Sequence, residues 1–302
     1  MNIFDMDMYP MLLNSANKSF DDINYIFELK LDGIRCLAFC DKNKTILKNR
    51  HLKIINEKYP ELCNIYQQCN ENCILDGEIV YLDEKGFPDF YTLQKRSLLT
   101  SKFKILYQSK IIPVCFVAFD ILFCKNDDLT NLPLMKRKNI LSQTVKENSF
   151  ISISRYIERY GKNLFKSIKK LNLEGIVAKK KNSFYFVGER SSNWIKIKNT
   201  IFEDYIICGF TIENGEMRDI IIAKKEDGIL KYDGIVYIGA KEMEKKIIWK
   251  FAQKNKVAQP IFKNLSNDIT WIRPQLVCTV EYLQRTKSNQ RRQPIFRGLR
   301  TD

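Results

Sequence analysis

Residues 28–35 read ELKLDGIR, two acids and two bases threaded through aliphatic residues. Side chains alternate across an extended strand, so Phe27 and Leu29 share one face while Glu28 and Lys30 share the other. Asp32-Gly33 then reads as a turn and residues 34–39 as a returning strand, which makes the segment an amphipathic hairpin. Its charged face needs either solvent or a site to face.

The same texture recurs. In LDGEI (75–79) Asp76 and Glu78 share a face. In LEGIVAK (173–179) an acid precedes a glycine, a β-branched run and a lysine. In WIKIK (194–198) both lysines share one face and both isoleucines the other. Each alone fits a strand with a solvated charged face. If the faces converge, they form a pocket with a lysine cluster and two or three carboxylates. Lysines suit phosphates, and carboxylates suit a divalent metal. There is no GxxxxGK[ST] and no GxGxxG run, so a nucleotide here would be held by neither a Walker loop nor a Rossmann turn.

The chain has 302 residues, enough for one large or two ordinary domains, with 45% hydrophobic and 28% charged content. The formal net charge of +15 suits a polyanionic partner, most often nucleic acid; a generic solubility charge in a Lys-, Asn- and Ile-rich composition is the alternative. Nine cysteines are an odd number and form no CxxC pair. With His51 the single histidine, a structural zinc site is not expected, and reduced thiols in a cytosolic compartment are. The same scarcity leaves little for Ser-His-Asp chemistry, so any acid, base or nucleophile should be Lys, Asp or Glu. The N-terminal MNIFDMDMYP has no signal-peptide pattern. The most apolar run, residues 111–119, contains Pro113 and is too short to span a bilayer. A soluble, intracellular protein is expected.

The first 200 residues read as mixed α/β. Residues 52–66 suggest a helix interrupted by Pro60, and residues 163–171 a better one, with Leu164, Phe165, Ile168 and Leu171 on one face. After Lys198, short strands at 205–207, 219–223, 234–238 and 277–282 are separated by turn signals such as Asn214-Gly215 and Asp227-Gly228. That pattern suits a small barrel of OB type. The expected domains are 1–200 and 201–302.

These elements, in order, resemble the nucleotidyltransferase motifs of ATP-dependent DNA ligases, in the small two-domain form of bacterial end-joining repair ligases and phage ligases. KLDGIR (30–35) resembles KxDGxR, and Asn49-Arg50 the SR element after it. LDGE (75–78) resembles the DGE motif, and AFDIL (118–122) the FD element. EGIVAK (174–179) resembles EGxVxK, and GERSSNWIKIK (188–198) resembles GxRSxxWxKxK. RQPIFRGLRTD (292–302) resembles the family's last motif. A lone KxDG is weak, whereas the ordered set covers nearly the whole chain from Pro10-Met11-Leu12 onward.

The resemblance implies an α+β nucleotidyltransferase domain, with ATP-grasp-like antiparallel sheets and helices, followed by a small all-β OB-fold barrel. It implies an ATP-dependent DNA ligase that seals 5′-phosphate/3′-hydroxyl nicks in duplex DNA. Lys30 would attack the α-phosphorus of ATP to form lysyl-AMP, AMP would pass to the 5′-phosphate, and the 3′-hydroxyl would then displace it. A lysine with its ordinary pKa of about 10.4 is a poor nucleophile at neutral pH. Nearby Lys179, Lys196, Lys198 and a bound metal would disfavour its charge. ATP and Mg²⁺ (or Mn²⁺) are the implied cofactors.

On the same footing Glu28 sits near the adenine amine, a plain salt bridge being the alternative. Arg50 and Glu78 contact ribose or metal, and Phe119 stacks on adenine or is a core aromatic. Glu174 is the foremost metal ligand, with Glu78 beside it. Arg190, Lys196 and Lys198 meet AMP and phosphate oxygens. Arg35 joins the nucleotide contacts or serves, with Asp32, the nick steps or the turn itself, where Gly33 permits a tight bend. Trp194 is assigned to packing. The basic run of residues 285–300 is a solvated face or, by the family pattern, faces phosphate.

The family pattern continues Asp-Lys where this chain stops at Asp302, which bears on the efficiency of the first step. No separate DNA-binding domain is expected ahead of the first domain, so holding the duplex would fall to loops and the barrel, through salt-sensitive backbone contacts. The implied partners are nicked duplex DNA and repair or replication proteins, for a monomer without a membrane, in bacterial, phage- or virus-infected cytoplasm. An RNA ligase or an mRNA-capping nucleotidyltransferase shares the lysine chemistry. A non-catalytic basic nucleic-acid-binding protein is the rival of another class.

Overall fold

The computed structural model describes residues 3–266, 268–286 and 289–300. The chain divides into two compact units, Met1–Lys198 and Asn199–Asp302. In chain order the strands of the first unit are β1 (Leu12–Ser15), β2 (Asp22–Leu29), β3 (Ile34–Cys40), β4 (Thr45–Asn49), β5 (Cys73–Val80), β6 (Cys115–Cys124), β7 (Asp127–Asp128), β8 (Ile151–Ile153), β9 (Tyr156–Arg159), β10 (Gly175–Lys180) and β11 (Arg190–Lys198). Its helices are α1 (Phe90–Ser97), α2 (Lys102–Ile111), α3 (Leu134–Thr144) and α4 (Gly161–Lys170).

The strands form two sheets, one ordered β1–β11–β10–β2–β9 and the other β4–β3–β5–β6–β7, with β8 beside β6. Pairing is antiparallel apart from β1 with β11 and β8 with β6. Apolar side chains of both sheets meet in one cluster: Ile26 and Trp194 from the first, Leu37, Phe39, Ile74, Phe119 and Leu122 from the second. The outer face of the first sheet buries Phe27, Ile176 and Ala178 under Ile168 of α4. The outer face of the second buries Cys36, Ala38, Leu75 and Phe116 with Leu93 of α1 and Leu141 of α3.

Two expectations change here. β2 and β3 do not pair with each other: β2 lies between β10 and β9, and β3 between β4 and β5. Residues 30–33 are therefore a crossing between sheets, not the turn of a hairpin. Gly33 is required by close approach, since a Cβ there would sit 2.3 Å from the Ile79 carbonyl and 2.7 Å from Glu78 Cγ. Residues 52–66 form short 3₁₀ turns, Asn56–Lys58, Pro60–Leu62 and the start of Ile65–Gln68, instead of a helix. Pro60 cannot donate a helical hydrogen bond. The Asn56 side chain also ties the segment to β4, accepting from Leu47 N–H and donating to the Thr45 carbonyl, both at 2.8 Å. The helix read at 163–171 is α4, with Leu171 as its C-cap.

β6 carries two register shifts against β5. Asp76 pairs with Asp120 and Gly77 with Ala118, so Phe119 is an extra residue; Leu75 pairs with Ile121 and Ile74 with Phe123, so Leu122 is another. Such bulges re-aim side chains. Here both extra residues turn into the cluster between the sheets.

The second unit is one antiparallel sheet of β12 (Ile201–Glu213), β13 (Glu216–Glu226), β14 (Ile229–Tyr237), β15 (Ile269–Tyr282) and β16 (Ile295–Leu299), ordered β14–β13–β12–β15–β16. The strands read at 205–207, 219–223 and 277–282 lie inside longer ones, and Ile238 falls just past β14. Asn214-Gly215 and Asp227-Gly228 turn the chain with positive φ at both residues, as tight hairpin turns require. One helix, α5 (Glu242–Asn255), was not in the all-strand reading; it buries Ile248 and Ala252 in the unit's core. The architecture is an OB-type barrel with a helix between β14 and β15.

Of the basic run near the C-terminus, Arg291 is covered and Arg285 half-buried, while Arg297 and Arg300 stay exposed to solvent, and all four have acidic partners. Arg285 pairs with Asp233 at 3.0 Å, Arg291 pairs with the same carboxylate, Arg297 with Glu281, and Arg300 with Asp204 at 3.8 Å. A phosphate-facing role for these residues requires those pairs to open. Lys287, Thr301 and Asp302 lie outside the described residues.

Candidate active site

Lys30 follows β2 directly, in the crossing between the sheets. Its backbone N–H donates to the Gly175 carbonyl at 2.9 Å, and its Nζ donates to Glu174 Oε2 at 2.8 Å. Glu174 can take that position because Gly175 starts β10 at φ +153, where a Cβ would lie 2.2 Å from the Ile197 carbonyl. Burial pushes the Glu174 carboxyl up, opposed by Lys30.

Behind Lys30, Glu28 is buried and receives two lysines, Lys179 of β10 at 2.8 Å and Lys138 of α3. Burial pushes Lys179 down to about 8, with Glu28 opposing the shift. The Lys179 amine also lies 4.3 Å from the centre of the Phe119 ring and 4.0 Å from that of Trp194. Phe119 and Trp194 meet edge to face at 6.2 Å. Phe119 thus lines the cleft and packs in the core at once, and Trp194 is fully buried, as packing requires.

On the facing sheet Arg35 makes a two-pronged contact with Asp76, 2.7 Å from Nε and 2.6 Å from Nη2. Asp76 is fully buried and also accepts the Tyr185 hydroxyl at 2.6 Å. The Arg35 guanidinium lies 4.7 Å from the Phe119 centroid. Glu78 stands opposite Arg35 in the ladder. Burial pushes the Glu78 carboxyl up to about 8, against Arg35 and Lys30, while Glu174 and Asp76 add to the rise.

The Glu78 shift has a sign that can be measured. In the unfolded chain a glutamate titrates near 4.3. Between that value and about 8 the folded protein holds the extra proton, so this group lowers stability as pH rises through the window. Glu78→Gln carries the neutral shape at every pH. Its Tm should gain on the parent between pH 5 and pH 8.5, and parallel melting curves across that range would sink the assignment.

Glu28, Lys30, Arg35, Glu78 and Phe119 line one cleft, together with Leu13, Val177, Lys179 and Trp194. Glu174 joins them through Lys30. Lys196 and Lys198 stand on β11 opposite Val177 and Gly175. Lys196 is held below the usual lysine range, first by burial and then by Lys198, Lys30 and Arg190, so four cations share one electrostatic neighbourhood. Arg190 is exposed and donates to the Leu13 carbonyl at the rim. Arg50 is not brought to the cleft: it is exposed just past β4, with its Nε directed at His51, 3.0 Å away. Lys138, Asp76 and Tyr185 complete the site without having been singled out as site residues. Asp76 carried a signal, sharing a strand face with Glu78. Lys138 and Tyr185 carried none.

Two packed sheets with a lysine at their crossing and carboxylates and cations around it define a covalent nucleotidyltransferase fold. Family models for the "ATP dependent DNA ligase domain" and the "ATP dependent DNA ligase C terminal region" match residues 10–198 and 213–302. The chain belongs to the ATP-dependent DNA ligase family, enzymes that seal nicks. It is 29% identical to the SPbeta prophage-derived DNA ligase-like protein LigB of Bacillus subtilis (strain 168), over 98% of this chain and 100% of that one. It is 30% identical to the multifunctional non-homologous end joining protein LigD of Mycolicibacterium smegmatis, over 98% of this chain but only 39% of that relative's length. A solved structure of mycobacterial DNA ligase D complexed with ATP and MES superposes with a TM-score of 0.60 at 25% identity, covering 98% of this chain and 96% of that one. A Lig E DNA ligase shares the fold with a TM-score of 0.66 at 16% identity, over 98% of this chain and 100% of that one.

Proposed function

We propose that this ligase joins 5′-phosphate and 3′-hydroxyl ends at nicks in duplex DNA, with Lys30 as the residue that carries AMP. The observation that supports it is the Lys30 amine held at 2.8 Å by Glu174 inside a cleft ringed by cations. Having lost a proton, the Lys30 nitrogen attacks the α-phosphorus of ATP. The N–P bond forms and the bond to pyrophosphate breaks. The 5′-phosphate oxygen then takes AMP from Lys30, and the 3′-hydroxyl displaces AMP as the strand closes. Lys196, Lys198 and Arg190 neutralise the phosphate oxygens, and Glu28 with Phe119 receives the base. In-line displacement at phosphorus depends on such positioning and neutralisation more than on acid–base work.

Glu174 and Glu78 fit a divalent cation. Glu174 adds to the rise of the buried Glu78 carboxyl, and Asp32 to that of Glu174, so a positive ion held by these carboxylates would relieve a repulsion that burial sharpens. A Mg²⁺ or Mn²⁺ ion there supplies charge neutralisation at the phosphate.

Incubation with ATP and Mg²⁺ should add one AMP to the chain by intact mass, and a gel assay should show sealing of a nicked DNA duplex. Sealing of nicked RNA but not nicked DNA would turn the reading to an RNA ligase. A preference for GTP would point to capping, and absence of any adduct to a non-catalytic binder. With +15 net charge, duplex affinity should fall steeply with salt and vary little with sequence. The reading includes a monomer working in the cytoplasm, with repair or replication proteins as partners. Among the described residues no helix is long and apolar enough to cross a membrane.

A further inference from the structure

Behind the sheet that carries Arg35 and Glu78, three thiols converge. Cys40 ends β3 and Cys73 begins β5, directly opposite each other in the ladder. Cys69 follows the Ile65–Gln68 turn and comes in from the side, its backbone bridged to Val145. The three Sγ atoms all lie within 4.8 Å of one another. Cys40 and Cys73 are buried, Cys69 is half-buried, and all three are free thiols.

We propose that Cys40, Cys69 and Cys73 form a binding site for a soft d¹⁰ metal ion, zinc(II) or copper(I). A zinc–sulfur bond of about 2.3 Å in a tetrahedral site sets neighbouring sulfurs roughly 3.8 Å apart, so these thiols need only small movements to close on an ion. Thiolates are the ligands that select such metals. A disulfide would join two of the sulfurs and leave the third without a role, whereas a metal uses all three. The sequence did not suggest this site because no CxxC is present. Cys40 and Cys73 are 33 positions apart and are brought together by strand pairing.

Half-buried Cys69 gives the ion its way in. Each ligating thiol passes its proton to solvent as its sulfur–metal bond forms, and no electrons change hands. Copper(I) is satisfied by three sulfurs. Zinc would take a fourth ligand, a water entering past Cys69. The ion would staple the 56–69 segment to β3 and β5, stiffening the back of the sheet whose front face holds Arg35, Asp76 and Glu78. Its role is structural, so it shows in stability before activity.

The test uses the whole reduced chain, incubated anaerobically with zinc chloride or with copper(I) held as its acetonitrile complex, then desalted. Native mass spectrometry should show one metal per chain. In a parallel sample left undesalted, with free metal at a hundredfold excess over the dissociation constant, Tm should rise by roughly 5–10 °C. Cys69→Ser should lose both effects while keeping its circular dichroism, because Cys69 is only half-buried, at the edge of the core, and serine is close to it in size. Cys63→Ser, another half-buried thiol outside the cluster, should keep both. Zinc alone or copper(I) alone being retained supports the site and names its ion. No retained metal, equal retention by Cys69→Ser, or a two-proton mass loss marking a disulfide among the three would overturn it.

Discussion

Lys30→Ala should end adduct formation with ATP, lowering labelled AMP on the chain by on the order of 10⁴-fold or more, as loss of a catalytic nucleophile does. Lys30→Arg should do no better, because a guanidinium stays protonated and offers no lone pair. Two further readouts separate lost chemistry from lost fold. Circular dichroism should stay close to the parent, since Lys30 lines the cleft and its loss leaves the apolar core intact. A nick whose 5′-phosphate already carries AMP should still be sealed, because that last step asks nothing of the Lys30 amine. If Lys30→Ala still gains AMP, the nucleophile is another residue, and Lys179, Lys196 and Lys198 are the ones to test. If it gains no AMP but also fails on the pre-adenylylated nick, Lys30 has a second role in strand joining.

The largest effect on stability should come from Asp120→Ala. Asp120 and Arg137 are both fully buried and joined in two places, 2.9 Å from Nε and 2.8 Å from Nη2. Arg137 Nη1 is further held by the Ser183 carbonyl at 3.0 Å, and Asp120 accepts the Ile121 N–H at 2.9 Å. Removing the carboxylate strands a guanidinium in the core, which costs about 3–5 kcal/mol. For a unit of 198 residues that is a Tm drop of roughly 6–20 °C. Asp120→Ala combined with Arg137→Met should recover much of the loss, because the buried charge is then gone from both sides. A single variant that melts within 2 °C of the parent would show that water or a neighbouring acceptor takes over the arginine.

Much of this arrangement was legible because strands have a period of two. Alternation alone placed Asp76 with Glu78 and Lys196 with Lys198, and those pairs do share faces in the structure. It could not tell which strand pairs with which. ELKLDGIR looked like a hairpin because a Gly between two apolar runs usually marks one, but β2 and β3 enter different sheets. Gly33 is there for clearance under the Ile79 carbonyl. The run CFVAFDILFC in β6 is apolar but for Asp120 and buried along its whole length, so it has no alternation to read, and the two bulges that turn Phe119 and Leu122 inward left no trace. Lys138 sits among the lysines and polar residues of α3, in a stretch that reads as an ordinary wet helix, yet it reaches Glu28. The cysteine cluster was hidden for the reason Arg137 was: both depend on residues far apart in sequence. Arg50 shows the opposite limit, a residue picked out by a motif that the structure leaves at the surface.

The doubled bulge gives β6 an unusual kind of inheritance. Between Ala118 and Phe123 the strand's length sets which side chains face the cleft and which face the outer core. Substituting one apolar residue for another changes only volume there. Losing or gaining one residue would shift the phase of everything beyond it, turning Asp120 from Arg137 and Phe119 from the cleft together. Over time the apolar positions of this strand can exchange for one another while Asp120 and the strand's length are held, so gaps in it should be rarer among functional descendants than apolar substitutions.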